Sequence, residues 1–310
     1  MAGTAMNETY GMMPLALAAP GALRAPAVLP EPAAPLAREP DAAFPATPPA
    51  RVIVGAYLRA LRRSRGLSQD AVSRRVHCSM ETIARTETAG RKPSEHLVSA
   101  LLRVYQVKNP AEIDAVQQLV LRVDGRNHVI DDKAGYGLRL AACEAVADSL
   151  CVHAQHVIPP IVQTAAYTAA LHRSRRPPVP RALGPRADRT VLVLLDETVL
   201  TRPVAGPAVM EAQITHLLHV IKDGIADVRV LPLGSGCFVP RRQTTELLFR
   251  RGEQRLFVEE AAGVAYSSGP QHGQDASTRL DTAQALAVGP DASWQMLQSA
   301  RGRFHDQGAP

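Results

Sequence analysis

The sequence predicts a multidomain chain: an N-terminal all-α domain, then a C-terminal mixed α/β (α+β) domain, preceded by a disordered Pro/Ala-rich leader. Three observations predict it. The chain has 310 residues, 46% of them hydrophobic, enough for two domains at roughly 100 to 200 residues each. Short helical periods with clear caps fill residues 51–124, whereas 139–305 mixes strand-like runs with longer helical stripes. The positive charge is also concentrated: residues 51–93 hold ten basic residues against three acids, while the whole chain carries +6. A basic balance confined to one segment points to a polyanion-binding module joined to a domain with another task.

Residues 1–50 contain ten prolines and fifteen alanines with no helical period, which predicts a disordered or polyproline-like spacer. From Arg51 the punctuation changes. Ile53–Arg65 places Val54, Leu58 and Leu61 on one face, and Gly66 ends the run as a C-terminal cap. Ser68 is an N-cap for a second helix reaching Val76, and Ser79 caps a third that runs through Thr88 with Ile83 buried. Ser94 caps a fourth helix carrying Leu97, Leu101 and Tyr105, and Glu112–Val123 reads as a fifth. Five short helices make an all-α domain over 51–124, and 125–138 reads as a linker.

In the second domain, 149–157 alternates like a strand and 191–195 (VLVLL) is a buried-strand run. An amphipathic helix is expected from Pro207 to Lys222, with Met210, Ile214, Leu217, Leu218 and Ile221 as its stripe. Further strands are predicted at 228–233, 245–250 and 255–260, and helices at 277–288 and 291–303.

Composition excludes several classes. Cys78, Cys143, Cys151 and Cys237 show no CxxC pair, so neither a zinc ribbon nor a secreted disulfide framework is indicated, and a reducing cytoplasm is the expected location. The most apolar stretch, Met12–Leu29, is interrupted by prolines and Arg24, which predicts no membrane span and no export signal. Cys143, Cys151, His153 and His156 invite a metal reading, but alternation puts Cys151 and His153 on one strand face and His156 on the other. No metal and no cofactor are therefore expected. Asp196 and Glu197 follow a buried strand, where catalytic carboxylates often sit. No nucleophile elbow, phosphate loop or dinucleotide fingerprint accompanies them, so helix capping is preferred to catalysis and the chain is not expected to be an enzyme.

The segment SQDAVSRRVHCSMETIARTETAG, residues 68–90, has two short helices joined by a turn of about three residues, which is helix-turn-helix spacing. It resembles the lambda-repressor-like, XRE-type regulators through Ser68, Gln69, Ala71, Val76, Ser79, Ile83, Arg85 and Glu87, with flanking similarity from Leu58 to Ser94. Thr86 stands where an apolar or aromatic residue is usual, and Ala89 where a glycine is. The resemblance implies double-stranded DNA as partner, with the third helix in the major groove. Met80, Glu81 and Arg85 would then face bases: thymine methyl, cytosine amino group and guanine respectively. Gln69, Ser79, Arg91 and Lys92 would meet phosphates, and Arg62 would pair with Glu87 as a structural ion pair. The alternative for Arg85 is an i,i+4 surface pair with Glu81.

IPPIVQTAAYTAAL (158–171) and LDETVLTRPVAGPAVMEAQITHLL (195–218), followed by VRVLPL and LFVEE, resemble the effector-like domain of WhiJ-like, antitoxin-type actinomycete regulators, with Pro160 replacing the usual glycine. This resemblance implies a small partner protein, and two DNA half-sites imply a homodimer. The expected function is a cytoplasmic, sequence-specific transcriptional regulator whose C-terminal domain senses, dimerises or binds a partner. The alternative is an antitoxin-like interaction module that uses DNA binding for autoregulation. An enzyme with a DNA-binding appendage is a third reading.

Overall fold

The computed structural model describes residues 47–122, 127–172, 181, 189–204, 206–235, 243–249, 254–260 and 263–308. The leader expected over 1–50 lies outside the described residues up to position 46. Its last residues are not leader at all, because Pro49 and Ala50 open helix α1 (Pro49–Ser64). A proline is well placed there, since the first turn has no intrahelical use for its missing N–H.

Helices α2 (Gln69–Arg75), α3 (Met80–Glu87), α4 (Glu95–Val104) and α5 (Pro110–Leu121) complete the N-terminal domain. Each begins at a side-chain cap: Ser68, Ser79, Ser94 and Asn109 accept from the backbone N–H of Ala71, Thr82, Leu97 and Ala111. Every residue from Val52 to Leu58 is buried, which one amphipathic face cannot explain. The cause is that α1 is covered on several sides, by α3 and α5 of its own domain and by α6 (Tyr136–Val146) of the next.

Among the described residues, seven strands form one mixed sheet in the order β1-β7-β6-β5-β2-β3-β4. They are β1 (His128–Asp131), β2 (Ser149–Ala154), β3 (Thr190–Asp196), β4 (Asp227–Leu231), β5 (Thr244–Phe249), β6 (Gln254–Glu260) and β7 (Val264–Ser267). β2, β3 and β4 are parallel; the other pairings are antiparallel. The stretch expected as a linker, 125–138, is thus corrected: it contains edge strand β1 and the start of α6. Four residues are too few to display an alternation that can be told from loop.

The two sheet faces explain the continuous apolar run in β3. Val191, Val193 and Leu195 join a large core shared with α1, α6, α8 (Pro207–Lys222) and α10 (Pro290–Gly308). Leu192 and Leu194 point the other way, with Cys151 and Phe257, onto α9 (Pro270–Leu286). A strand covered on both faces has no polar side to show. Trp294 packs partly buried against the larger core. No helix among the described residues is long and apolar enough to cross a membrane.

Candidate nucleic-acid interface

The turn between α2 and α3 is closed by backbone bonds from Val76 to Val72 O (3.1 Å) and from Cys78 to Ser73 O (3.1 Å). His77 takes φ +52° to make it, a left-handed conformation that costs a non-glycine residue energy. Val72 and Ile83, both fully buried, lock the two helices together, while the opposite face of α3 is left to solvent. Met80 is 55% exposed, and the Glu81 and Arg85 side chains are 76% and 57% exposed. The three residues expected at bases therefore share the exposed side of α3.

Arg85 Nη1 lies 3.6 Å from Glu81 Oε1, and its Nη2 donates to Gly90 O at 3.4 Å. An exposed i,i+4 pair is worth only about 0.3–0.5 kcal/mol, against about 1–3 kcal/mol of discrimination from a bidentate guanine contact. The pairing thus parks Arg85 beside Glu81 without committing it there. Arg91 Nη1 donates to Thr82 Oγ1 at 3.2 Å, and Thr82 also meets Ser79 Oγ at 3.0 Å. Ser79 spends its oxygen on the cap of α3, accepting from Thr82 N at 3.1 Å. Lys92 is exposed beyond Arg91.

Gln69 stands differently from the other expected phosphate residues. Its amide donates to Glu87 Oε2 at 3.0 Å, so it belongs to the ion pair as well as to the surface. Arg62 Nε and Nη2 reach Glu87 Oε1 and Oε2 at 2.6 and 2.9 Å, and Arg62 Nη1 donates to Leu67 O at 2.7 Å. Donating these hydrogen bonds to the Glu87 carboxylate pushes the Arg62 pKa above its ordinary value. This fork ties the end of α1, the loop after it and the end of α3 into one unit.

Arg59, Arg62 and Arg63 also line an open cleft of about 460 Å³ with Ser68 and Gln69. Sequence reasoning counted Arg59 and Arg63 in the basic run but assigned them no place. Their spacing, three and four residues apart on α1, is the signal that puts Arg59 beside Arg62 and Arg63. Thr82, which links Arg91 to Ser79, carried no sequence signal.

The two departures from the regulator pattern have concrete settings. Thr86 is 1% exposed because α1 passes directly over it at Gly55: a Cβ there would meet Thr86 O at 2.6 Å and Glu87 O at 3.0 Å. Ala89 adopts φ +55°, the conformation that makes glycine usual after such a helix. Immediately beside it, Thr88 O accepts from Gln254 Nε2 of β6 at 3.2 Å. A cavity of about 160 Å³ opens there between the domains, with Val52, Ala56, Ala89, Val146 and Phe249 in its wall.

In the C-terminal domain, residues 158–171 form a tightly bonded corner. Pro160–Val162 is a 3-10 turn, and Thr164 caps α7 (Ala165–Leu171). Ile158 N donates to the buried Tyr167 hydroxyl at 3.2 Å, and Gln163 Nε2 donates to Ile158 O at 2.6 Å. Gln213 of α8 accepts from Thr164 N at 2.7 Å and donates to Val162 O at 2.9 Å. Asp196 caps a 3-10 turn by accepting from Thr198 N, and Glu197 accepts from Leu233 N, both at 2.9 Å. His153 lies buried on the α9 face, and burial lowers its pKa to about 4. Among the described residues no group of three or more His, Cys, Asp or Glu is placed to hold a metal ion; Cys237 lies outside them.

Comparison with protein families gives two matches. A helix-turn-helix domain matches residues 53–116, and a domain of unknown function, DUF5753, matches residues 138–299. No curated protein and no solved structure matches the chain.

Proposed function

The chain belongs to the family of the domain of unknown function DUF5753, and from that premise we propose that it is a sequence-specific, XRE-type transcriptional regulator acting as a homodimer on double-stranded DNA. One observation carries the reading: α3 offers Met80, Glu81 and Arg85 to solvent while its other side is anchored by Ile83 and Glu87. A helix so held can enter a major groove as a rigid probe. Arg91 and Lys92 supply sequence-independent attraction at the exit of α3, and the arginines of α1 supply it at the start of α2. The helix-turn-helix match over 53–116 supports this assignment.

The C-terminal domain is read as the sensing, dimerising or partner-binding half, working in the cytoplasm without a cofactor. The carboxylates that follow β3 favour this over catalysis, since Asp196 caps a turn and Glu197 holds the Leu233 amide. Selection of random duplex DNA by the full-length protein tests the proposal. The expected result is an enriched, near-palindromic motif whose binding falls less steeply with salt than binding to a scrambled duplex. Sequence-indifferent, steeply salt-dependent binding alone would overturn it.

A further inference from the structure

The two edges of the sheet are finished differently. Beyond β4, Val288 N donates to Val230 O and Val230 N donates to the buried Ser293 hydroxyl, both at 3.0 Å. That edge is closed by the chain itself. On the other side β1 ends the sheet, and no described strand lies beyond it. At four residues β1 is short, which is itself one way of blunting an edge, but it carries no proline, lysine or bulge, and its Ile130 is 55% exposed.

The phase of the ladder shows which groups face outward. Ser268 N donates to Asn127 O at 2.8 Å, and residues 127 and 268 continue the register that pairs His128 with Ser267. Hydrogen-bonded and non-bonded pairs alternate in an antiparallel ladder. Val129 and Asp131 therefore turn their backbone toward β7, and Ile130 turns its N–H and C=O away from the sheet.

We propose that the β1 edge is the surface on which a second copy of this chain pairs, antiparallel, about a two-fold axis through Ile130. The proposal deepens the homodimer assigned above and rests on it for its biological meaning. Self-complementarity selects the occupant. With the axis at Ile130, the two Ile130 residues exchange both backbone hydrogen bonds and stack their side chains, and His128 stands across from Asp132 of the other copy, twice by symmetry. Both are exposed in the single chain, where His128 Nδ1 meets Ser267 Oγ at 3.1 Å and Asp132 Oδ1 lies 3.6 Å from Lys133 Nζ, so pairing across the axis adds to or exchanges these contacts. Moving the axis to Val129 would set each His128 against Ile130 and lose both the apolar and the polar match. A one-residue slip would turn the exposed row against the buried one.

The test is sedimentation of the full chain over a concentration series, with Ile130→Lys and Ile130→Val beside it. Opposed lysines at the axis are expected to weaken self-association by about tenfold or more, a loss of about 1.4 kcal/mol, with circular dichroism unchanged. Ile130→Val should remain a dimer. A wild-type chain that stays monomeric, or an Ile130→Lys chain that dimerises like wild type, would overturn the edge pairing. Neither outcome touches the DNA reading, which the duplex selection decides separately: specific binding by a chain that dimerises elsewhere would sink only the β1 proposal. Edge-paired dimers with no sequence preference would sink only the regulator.

Discussion

Replacing Glu87 by glutamine should cost far more than the loss of one charge suggests. Glu87 Oε1 accepts from Arg62 Nε, and Oε2 accepts from both Arg62 Nη2 and Gln69 Nε2. Glutamine keeps one oxygen and turns the other into an NH₂ group, and every neighbour at either position is a donor. Whichever way the amide is flipped, donor meets donor, and Arg62, whose side chain is only 11% exposed, is left without a counter-charge. Breaking a buried pair by removing one partner costs about 3–5 kcal/mol, a large part of a typical stability of about 5–15 kcal/mol. The double variant Arg62→Met/Glu87→Leu leaves no orphaned charge, so it should be more stable than Glu87→Gln. Urea unfolding followed by far-ultraviolet circular dichroism measures both, with Trp294 fluorescence reporting α10 separately. A single-variant loss below about 1 kcal/mol would show the fork to be ornamental. A double variant as unstable as the sum of its singles would refute the buried-charge argument.

Three further outcomes follow from the same geometry. Gly55→Ala drives a methyl into backbone oxygens of α3, so it should lower stability by about 1–3 kcal/mol; an unchanged melting temperature would mean that α1 and α3 are not in that contact. Arg85→Ala should lose about 1–3 kcal/mol of preference at a single base pair. Lys92→Ala should weaken specific and scrambled duplexes alike and lower the salt slope by about one; equal effects of the two substitutions on both duplexes would contradict the division of roles. His153 has its pKa lowered from 6.5 to about 4 by burial, so the unfolded chain binds the extra proton and its contribution to stability is lost as pH falls from 6.5 toward 4. Glu144 acts oppositely, because burial raises its pKa from 4.5 to about 7 and its contribution is lost as pH rises through that range. Between pH 4.5 and 6.5 the two offset each other. The stability of wild type minus that of His153→Leu should therefore shrink by up to about 1.4 kcal/mol per pH unit on acidification; parallel pH profiles would refute the assignment.

Helices with caps and strands buried on both faces were legible from the residues alone. Ser68, Ser79 and Ser94 announced α2, α3 and α4 because a cap is a local bond between a side chain and an amide three residues on. The stripe from Met210 to Ile221 marked α8, and VLVLL marked β3, each from its own periodicity. Elements without a clear period were not legible: β1 and β7 are too short for one to emerge, α6 has no side-chain cap and buries polar as well as apolar residues, and α7 buries only Tyr167 and so shows no stripe. The exposed row on α3 was readable because exposure there follows from where Ile83 must point. The engagement of Gln69 with Glu87 was not, since eighteen positions separate them and it takes the packing of α2 against α3, with α1 lying over α3, to bring them together.

That packing also explains why the domain boundary drawn from composition is not a boundary in space. The basic segment begins at Arg51, so a reading by charge assigns α1 to the DNA-binding half alone. Yet Val52, Ile53 and Ala56 are buried within a core that continues into α6 and the sheet, and the Tyr57 hydroxyl donates to Glu112 Oε1 of α5. The Glu112 side chain in turn lies 3.1 Å from where a Cβ of Gly135 would be, at the turn that starts α6. Gly135 takes φ +79° there, and two residues of that neighbourhood, Asp131 of β1 and Arg139 of α6, form a buried bidentate pair at 2.6 Å. A side chain larger than hydrogen at position 135 would press on both Glu112 and Arg139. The segment read as a linker is therefore the place where the two domains are fitted to each other. Composition could not show this, because a fit of this kind is made by contacts between residues far apart in the chain, and local pattern carries no record of them.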